Sequence, residues 1–85
     1  MEETFNISID LIKTLSNKLS KDELIDVYKY YKQAQIGDIN INKPNFFNIK
    51  ESTKWEAWNS VKGLSKEKAM EEYINLSIVL YEKYK

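Results

Sequence analysis

The stretch GDININKPNFFNIK, residues 37 to 50, decides the fold. It opens on a glycine, holds the chain's single proline at Pro44, and shows no helical spacing of apolar residues. The segments on either side are periodic. Connections this long are uncommon in compact domains and are usually functional or topological. Fourteen extended residues reach roughly 45 Å. The preceding helix, over 21–36, is only about 24 Å long. The connection can therefore travel back along the whole bundle, so helices 2 and 3 are expected to run parallel. Phe46, Phe47 and Ile49 are expected to pin this loop to the core.

Working outward, helix 2 starts with a capping box. Ser20 caps the first turn and Glu23 reaches back to it. Its apolar stripe is Leu24, Val27, Tyr28, Tyr31 and Ala34. Gly37 stands where a C′ glycine ends a helix in the left-handed conformation, and Gly63 repeats that signal after helix 3. Helix 3 is expected over 51–62, with Trp55, Trp58 and Val61. Helix 1 is expected over 3–15, with Phe5, Ile9, Ile12 and Leu15 on one face. Helix 4 follows over 66–84, capped by Ser65, with Ala69, Met70, Tyr73, Ile74, Ser77, Leu80 and Tyr84 inward. No segment alternates as a strand does, and no repeat is visible. The pattern predicts an all-α four-helix bundle.

Eighty-five residues form one domain, 1–85, and bury about 60–65% of their unfolded surface. The chain has no cysteine, no histidine and no arginine. Disulfides, thiolate nucleophiles and the usual zinc sites are excluded, and no clustered carboxylate loop suits calcium. No metal and no cofactor is expected. Thirteen lysines balance thirteen carboxylates. Duplex nucleic acid binders show a basic excess, so no nucleic acid partner is expected. The longest apolar run, 78–81, is too short to span a bilayer, and no leader or lipidation motif is visible. Asn6-Ile7-Ser8 and Asn75-Leu76-Ser77 match the glycosylation pattern by chance, inside helices. A cytoplasmic monomer without membrane insertion is expected.

The run YKYYK at 28–32 places Tyr28, Tyr31 and Lys32 on one helix face. Two readings stand at this point. The tyrosines are core-edge aromatics with hydroxyls at the water boundary, and Lys32 is a solvated charge. Alternatively the face holds a nucleotide: a tyrosine ring stacks on adenine, and a phenol and an ammonium take a phosphate. Lys54, ahead of Trp55 and Trp58, together with Tyr73 and Lys13, could belong to the same site. Spacing alone does not show convergence.

The chain resembles the acyl-CoA-binding protein family from end to end in one register. The pieces that carry the resemblance are YKYYKQAQIGDIN at 28–40, Pro44, KWEAW at 54–58, KGLSKEKAM at 62–70, and Tyr73-Ile74. The resemblance implies a bundle in up-down-down-up order, with a long crossover loop between helices 2 and 3. It implies non-catalytic binding of long-chain acyl-CoA by a carrier and pool former in lipid metabolism. By the same analogy Tyr28, Lys32 and Lys54 surround the ribose 3′-phosphate, and Tyr31 lies against the adenine. Lys13 serves the polar head, and Tyr73 contacts the ligand. Leu24 and Ile25 touch the acyl chain. The chain departs from the family at Ile9, where a small residue is usual, and at Leu19, where proline is common. Glu51 and Thr53 replace smaller residues, and Glu51 adds negative charge near the phosphate site.

The energetics suit such a ligand. Charge-assisted hydrogen bonds contribute about 1.5–3 kcal/mol each. A palmitoyl chain offers about 0.8 kcal/mol per buried methylene, of order 10 kcal/mol in all. Together they exceed the roughly 12 kcal/mol of a nanomolar complex before ordering costs. An enzyme is not expected, because no nucleophile motif is present. The rival is a small helical protein-interaction module that binds no acyl-CoA.

Overall fold

The computed structural model describes residues 1–45 and 47–85. Four helices follow in order: α1 Glu2–Leu15, α2 Lys21–Gln35, α3 Ile49–Asn59 and α4 Lys66–Tyr84. Among the described residues there is no strand. The capping box forms as the sequence predicts. The Glu23 N–H donates to Ser20 Oγ and the Ser20 N–H donates to Glu23 Oε1, at 3.1 and 2.8 Å. Ser65 caps α4 by accepting from the Lys68 N–H at 3.0 Å. Gly37 and Gly63 take φ of 96° and 94°, the left-handed region that side chains resist.

Helix α3 is displaced from its expected span. It begins at Ile49, because the Asn48 side chain accepts from the Glu51 N–H and caps the turn there. It ends at Asn59, and the backbone then tightens into i→i+3 turns until Gly63. Val61 therefore lies on a turn, where periodicity had placed it on the helix.

Directions follow from which residues meet. Lys54 of α3 lies over the ring of Tyr28 on α2, and Trp58 lies beneath Lys32 one turn further along both helices. Helices α2 and α3 are parallel, as the long connection requires. Glu23 meets Lys83 and Tyr84, while Tyr31 meets Tyr73, so α2 and α4 are antiparallel. Phe5 packs on Tyr73 and the Lys18 ammonium reaches the Tyr84 carbonyl, so α1 runs with α4. The order is up-down-down-up. Helices α1 and α2 both pack on α4, and α3 packs on α2.

The core lies between α1, α2 and α4. Phe5, Ile12, Leu15, Leu19, Val27, Ala34, Ala69, Tyr73 and Leu80 are buried there, with Ile9, Met70, Ile74 and Tyr84 packed against them. Helix α3 is fastened differently. Trp58 Nε1 donates to the Gly37 carbonyl at 2.9 Å, and Trp55 Nε1 donates to the Ile41 carbonyl at 2.8 Å. Asp38 accepts from Gln33 Nε2 at 2.9 Å and from the Gly63 N–H at 2.7 Å, tying the end of α2 to the α3–α4 turn. Those two bonds, the Gly63 one foremost, hold the Asp38 carboxyl below its usual range.

The long loop is thus pinned by the two tryptophans, each of which has both a ring to bury and an N–H to place. This corrects the expectation for Phe47 and Ile49, which are 79% and 74% exposed. Phe46 lies outside the described residues.

Candidate functional site

Because α3 packs on α2 without reaching α1 or α4, the apolar stripe of α2 is not fully covered. Val27 and Ala34 enter the core, but Leu24 stays 40% exposed and Tyr31 37%. Tyr28 is half-buried. The uncovered part opens as a mostly apolar groove of about 940 Å³ between α2 and the start of α3. Leu24, Ile25 and Tyr28 form one wall, and Ile49 and Thr53 form the other. Lys21, Asp22, Lys50 and Lys54 stand at its edge.

One end of the groove is cationic. The Lys54 ammonium lies 5.4 Å from the centre of the Tyr28 ring and 4.0 Å from Glu51 Oε1. One turn on, the Lys32 ammonium sits 5.0 Å from the centre of the Trp58 ring. Ring faces carry negative quadrupole charge, so each aromatic steers its ammonium without neutralising it. Lys32 has no acidic partner among the described residues. The Tyr28 phenol is pushed up by burial and then by the charge of Glu51. It therefore stays protonated and able to donate to an anion.

Tyr31 faces the other way along the same helix. Its ring stacks on Phe5 with centroids 6.5 Å apart and lies 6.3 Å from Tyr73. Phe5 meets Tyr73 edge-on at 5.1 Å. Tyr73 is only 2% exposed, and burial, with a smaller effect of Tyr31, pushes its phenol up to about 12. Tyr73 is a core residue as much as a site residue, and its ring faces are already taken. Lys13 is exposed in the last turn of α1 and makes no ion pair among the described residues.

The structure thus brings Tyr28, Lys32 and Lys54 together and sets Leu24 and Ile25 into the adjoining groove. Tyr31 and Tyr73 belong to a ring cluster shared with Phe5. Among the described residues no hydrogen bond, ion pair or cation–π contact joins the Lys13 side chain to either group. Sequence reasoning missed the far wall, Ile49 and Thr53, and the rim residues Lys21, Asp22 and Lys50. A signal existed for the wall. Once α2 and α3 are read as parallel, Ile49 and Thr53 at i, i+4 must face Leu24 and Tyr28, also at i, i+4.

The arrangement suits an amphipathic anion: a tail for the groove, a phosphate for the lysines and a flat ring for a tyrosine. Among the described residues no group of His, Cys, Asp or Glu could hold a metal ion. No helix among them is long and apolar enough to cross a membrane.

Residues 2–77 match the family described as Acyl CoA binding protein. The acyl-CoA-binding protein of Saccharomyces cerevisiae is 43% identical over 99% of this chain and 97% of its own length. That of Gossypium hirsutum is 40% identical over 96% of this chain and 92% of its own. The crystal structure of acyl-CoA-binding protein 2 from Oryza sativa superposes with a TM-score of 0.92 at 38% identity, covering 96% of this chain and 91% of that one. This chain belongs to the acyl-CoA-binding protein family.

Proposed function

We propose that the chain binds long-chain acyl-CoA thioesters stoichiometrically and releases them unchanged, as a carrier and pool former. The observation that carries this reading is the junction of two unlike surfaces. An apolar groove walled by Leu24, Ile25 and Ile49 runs directly into the Tyr28, Lys54 and Lys32 cluster. An acyl chain alone leaves the lysines unused, and coenzyme A alone leaves the groove empty.

In this reading Lys32, Lys54 and the Tyr28 hydroxyl hold the ribose 3′-phosphate. Tyr31 offers its partly exposed ring to the adenine, and Lys13 answers the remaining charge of the head. Tyr73 contributes by holding Tyr31 and Phe5 in place and by its hydroxyl, which makes no hydrogen bond among the described residues. Leu24 and Ile25 line the path of the chain. The membership of the family and the names of its relatives support the ligand class. The absence of histidine, cysteine and any nucleophile motif supports binding without turnover.

Calorimetric titration with palmitoyl-CoA, with free thiol followed in parallel, tests the proposal. One-to-one binding with no protein-dependent thiol release is expected. Silence in the titration, or thiol release well above background, overturns it.

A further inference from the structure

Glu51 stands in the first turn of α3, one turn ahead of Lys54. Its Oε1 lies 4.0 Å from the Lys54 ammonium, and its charge acts on the Tyr28 phenol as well. It therefore acts on two of the three groups assigned to the 3′-phosphate. The lysines around it, Lys32, Lys50 and Lys21, have no acidic partner among the described residues. Among the described residues the Lys54–Glu51 pair is thus the one place where the cationic end of the groove is already answered by the chain's own oxyanion.

We propose that Glu51 is a built-in competitor for the 3′-phosphate, and that it sets how strongly this chain discriminates between coenzyme A and its dephospho form. The proposal rests on the acyl-CoA reading above and names a specificity-determining residue within it. A carboxylate and a phosphate monoester ask the same thing of an ammonium: a short, charge-assisted hydrogen bond. The Glu51 carboxylate, 4.0 Å from the Lys54 ammonium, is in ion-pair range without a hydrogen bond, so a phosphate arriving at Lys54 shares the ammonium's field with it and sits beside it as a like charge. The pair is partly exposed, so solvent weakens the Glu51 field at Lys54 without removing it. Lys32, held over Trp58 with no paired carboxylate among the described residues, keeps its full charge for the ligand.

The test is Glu51→Gln in the full chain, titrated with palmitoyl-CoA and with its 3′-dephospho analogue. Glutamine keeps the size of the side chain and removes the charge. An acidic side chain in a first turn favours its helix, so the substitution if anything weakens α3. A folding defect can only weaken binding, and the expected result is the opposite. Affinity for palmitoyl-CoA should rise about three- to tenfold, from lost competition and lost repulsion at this distance. Affinity for the dephospho analogue should stay within about twofold, since it lacks the competing group. Glu56→Gln serves as the control, because Glu56 pairs with Lys43 on the loop, and it should change neither value. No tightening, or equal tightening for both ligands, overturns the proposal. A wild-type chain that binds neither ligand fails at the earlier step and takes down the acyl-CoA function itself.

Discussion

Lys32→Ala tests the phosphate site with the fewest complications. Among the described residues the ammonium of Lys32 has no carboxylate partner to release, and it rests on the face of Trp58. In the proposed site its removal deletes one charge-assisted contact to the 3′-phosphate, about 1.5–3 kcal/mol. That corresponds to a loss of about ten- to 150-fold in affinity for palmitoyl-CoA. The substitution also removes the cation–π contact, which at a half-exposed position contributes about 0.5–1 kcal/mol to the free protein. This second effect is common to any ligand. Titrating the same variant with the 3′-dephospho analogue therefore isolates the first, as a cycle between one protein group and one ligand group. The expected loss against the analogue is less than about threefold. Lys29→Ala is the matched control. It lies on the same helix but pairs with Asp26 and covers Tyr30, and it should leave both affinities alone. Equal losses against the two ligands for Lys32→Ala would refute the reasoning, because the lysine would then be reading something other than the 3′-phosphate.

Three further outcomes follow from particular contacts. Leu24→Ala trims the groove wall and should weaken long-chain acyl-CoA by about 1–2 kcal/mol, while acetyl-CoA binding stays unchanged; a loss independent of chain length would place the tail elsewhere. Glu23 is held near a pKa of about 2 by its bond to Lys83, then by Tyr84 and the Ser20 N–H, well below the usual 4.5. A depressed carboxyl lends stability above its unfolded pKa and loses it as the pH falls toward the folded one, so the wild-type melting temperature should drop between about pH 5 and 2. Glu23→Gln should flatten that slope, less so in high salt because the pair is exposed, and parallel curves for the two proteins would remove Glu23 as a source of acid lability. Gly37→Ala should destabilise the fold by about 1–2 kcal/mol, read by chemical denaturation, since φ of 96° strains any side chain. The new Cβ meets only the flexible end of Lys66 at 3.4 Å, so an unchanged midpoint would mean that the turn re-forms without the left-handed residue.

The parts of the structure that could be read from the chain are those fixed by local chemistry. Ser20 with Glu23, Ser65 and Gly37 each satisfy or release a backbone group within a few residues, and each falls where expected; Gly63 takes the left-handed φ but closes the turn after α3, whose cap is Ser60, and its N–H bonds to the distant Asp38. The core stripes of α1 and α4 were legible because Phe5, Ile12, Leu15, Ala69, Tyr73 and Leu80 are buried at helical spacing, with Ile9, Met70, Ile74 and Tyr84 packed against them. The parallel α2–α3 pair was legible from length alone, since residues 37–50 outreach the helix they follow. Phe47 and Ile49 stay exposed although apolar, because hydrophobic character does not by itself bring burial. The association runs one way only: much of a folded surface is apolar. What fastens the loop is Trp55 and Trp58, whose N–H groups bond to carbonyls 14 and 21 residues away in sequence. No local pattern encodes a bond of that range. The start of α3 was set by Asn48, whose role as cap depends on where the loop delivers it.

The site was the harder reading for a connected reason. In α1 and α4 an apolar face meets its complement within the chain, and stability explains the residues. In α2 the stripe is divided. Val27 and Ala34 are spent on α4, while Leu24 and Tyr28 turn toward α3, which reaches them only at its own first turns. Leaving Leu24 partly and Ile49 mostly in water forgoes part of the stabilisation that full burial would give, about 1–2 kcal/mol for each. A sequence under selection for stability alone closes such a gap with a larger side chain or a longer α3. Here the gap ends at two lysines aligned on ring faces, one of them answered only by Glu51. An incompletely filled apolar groove and incompletely neutralised cations are each unfavourable for the empty chain, and both are relieved by the same molecule. Their coincidence on one pair of helices, more than any single residue, ties this fold to an amphipathic anion.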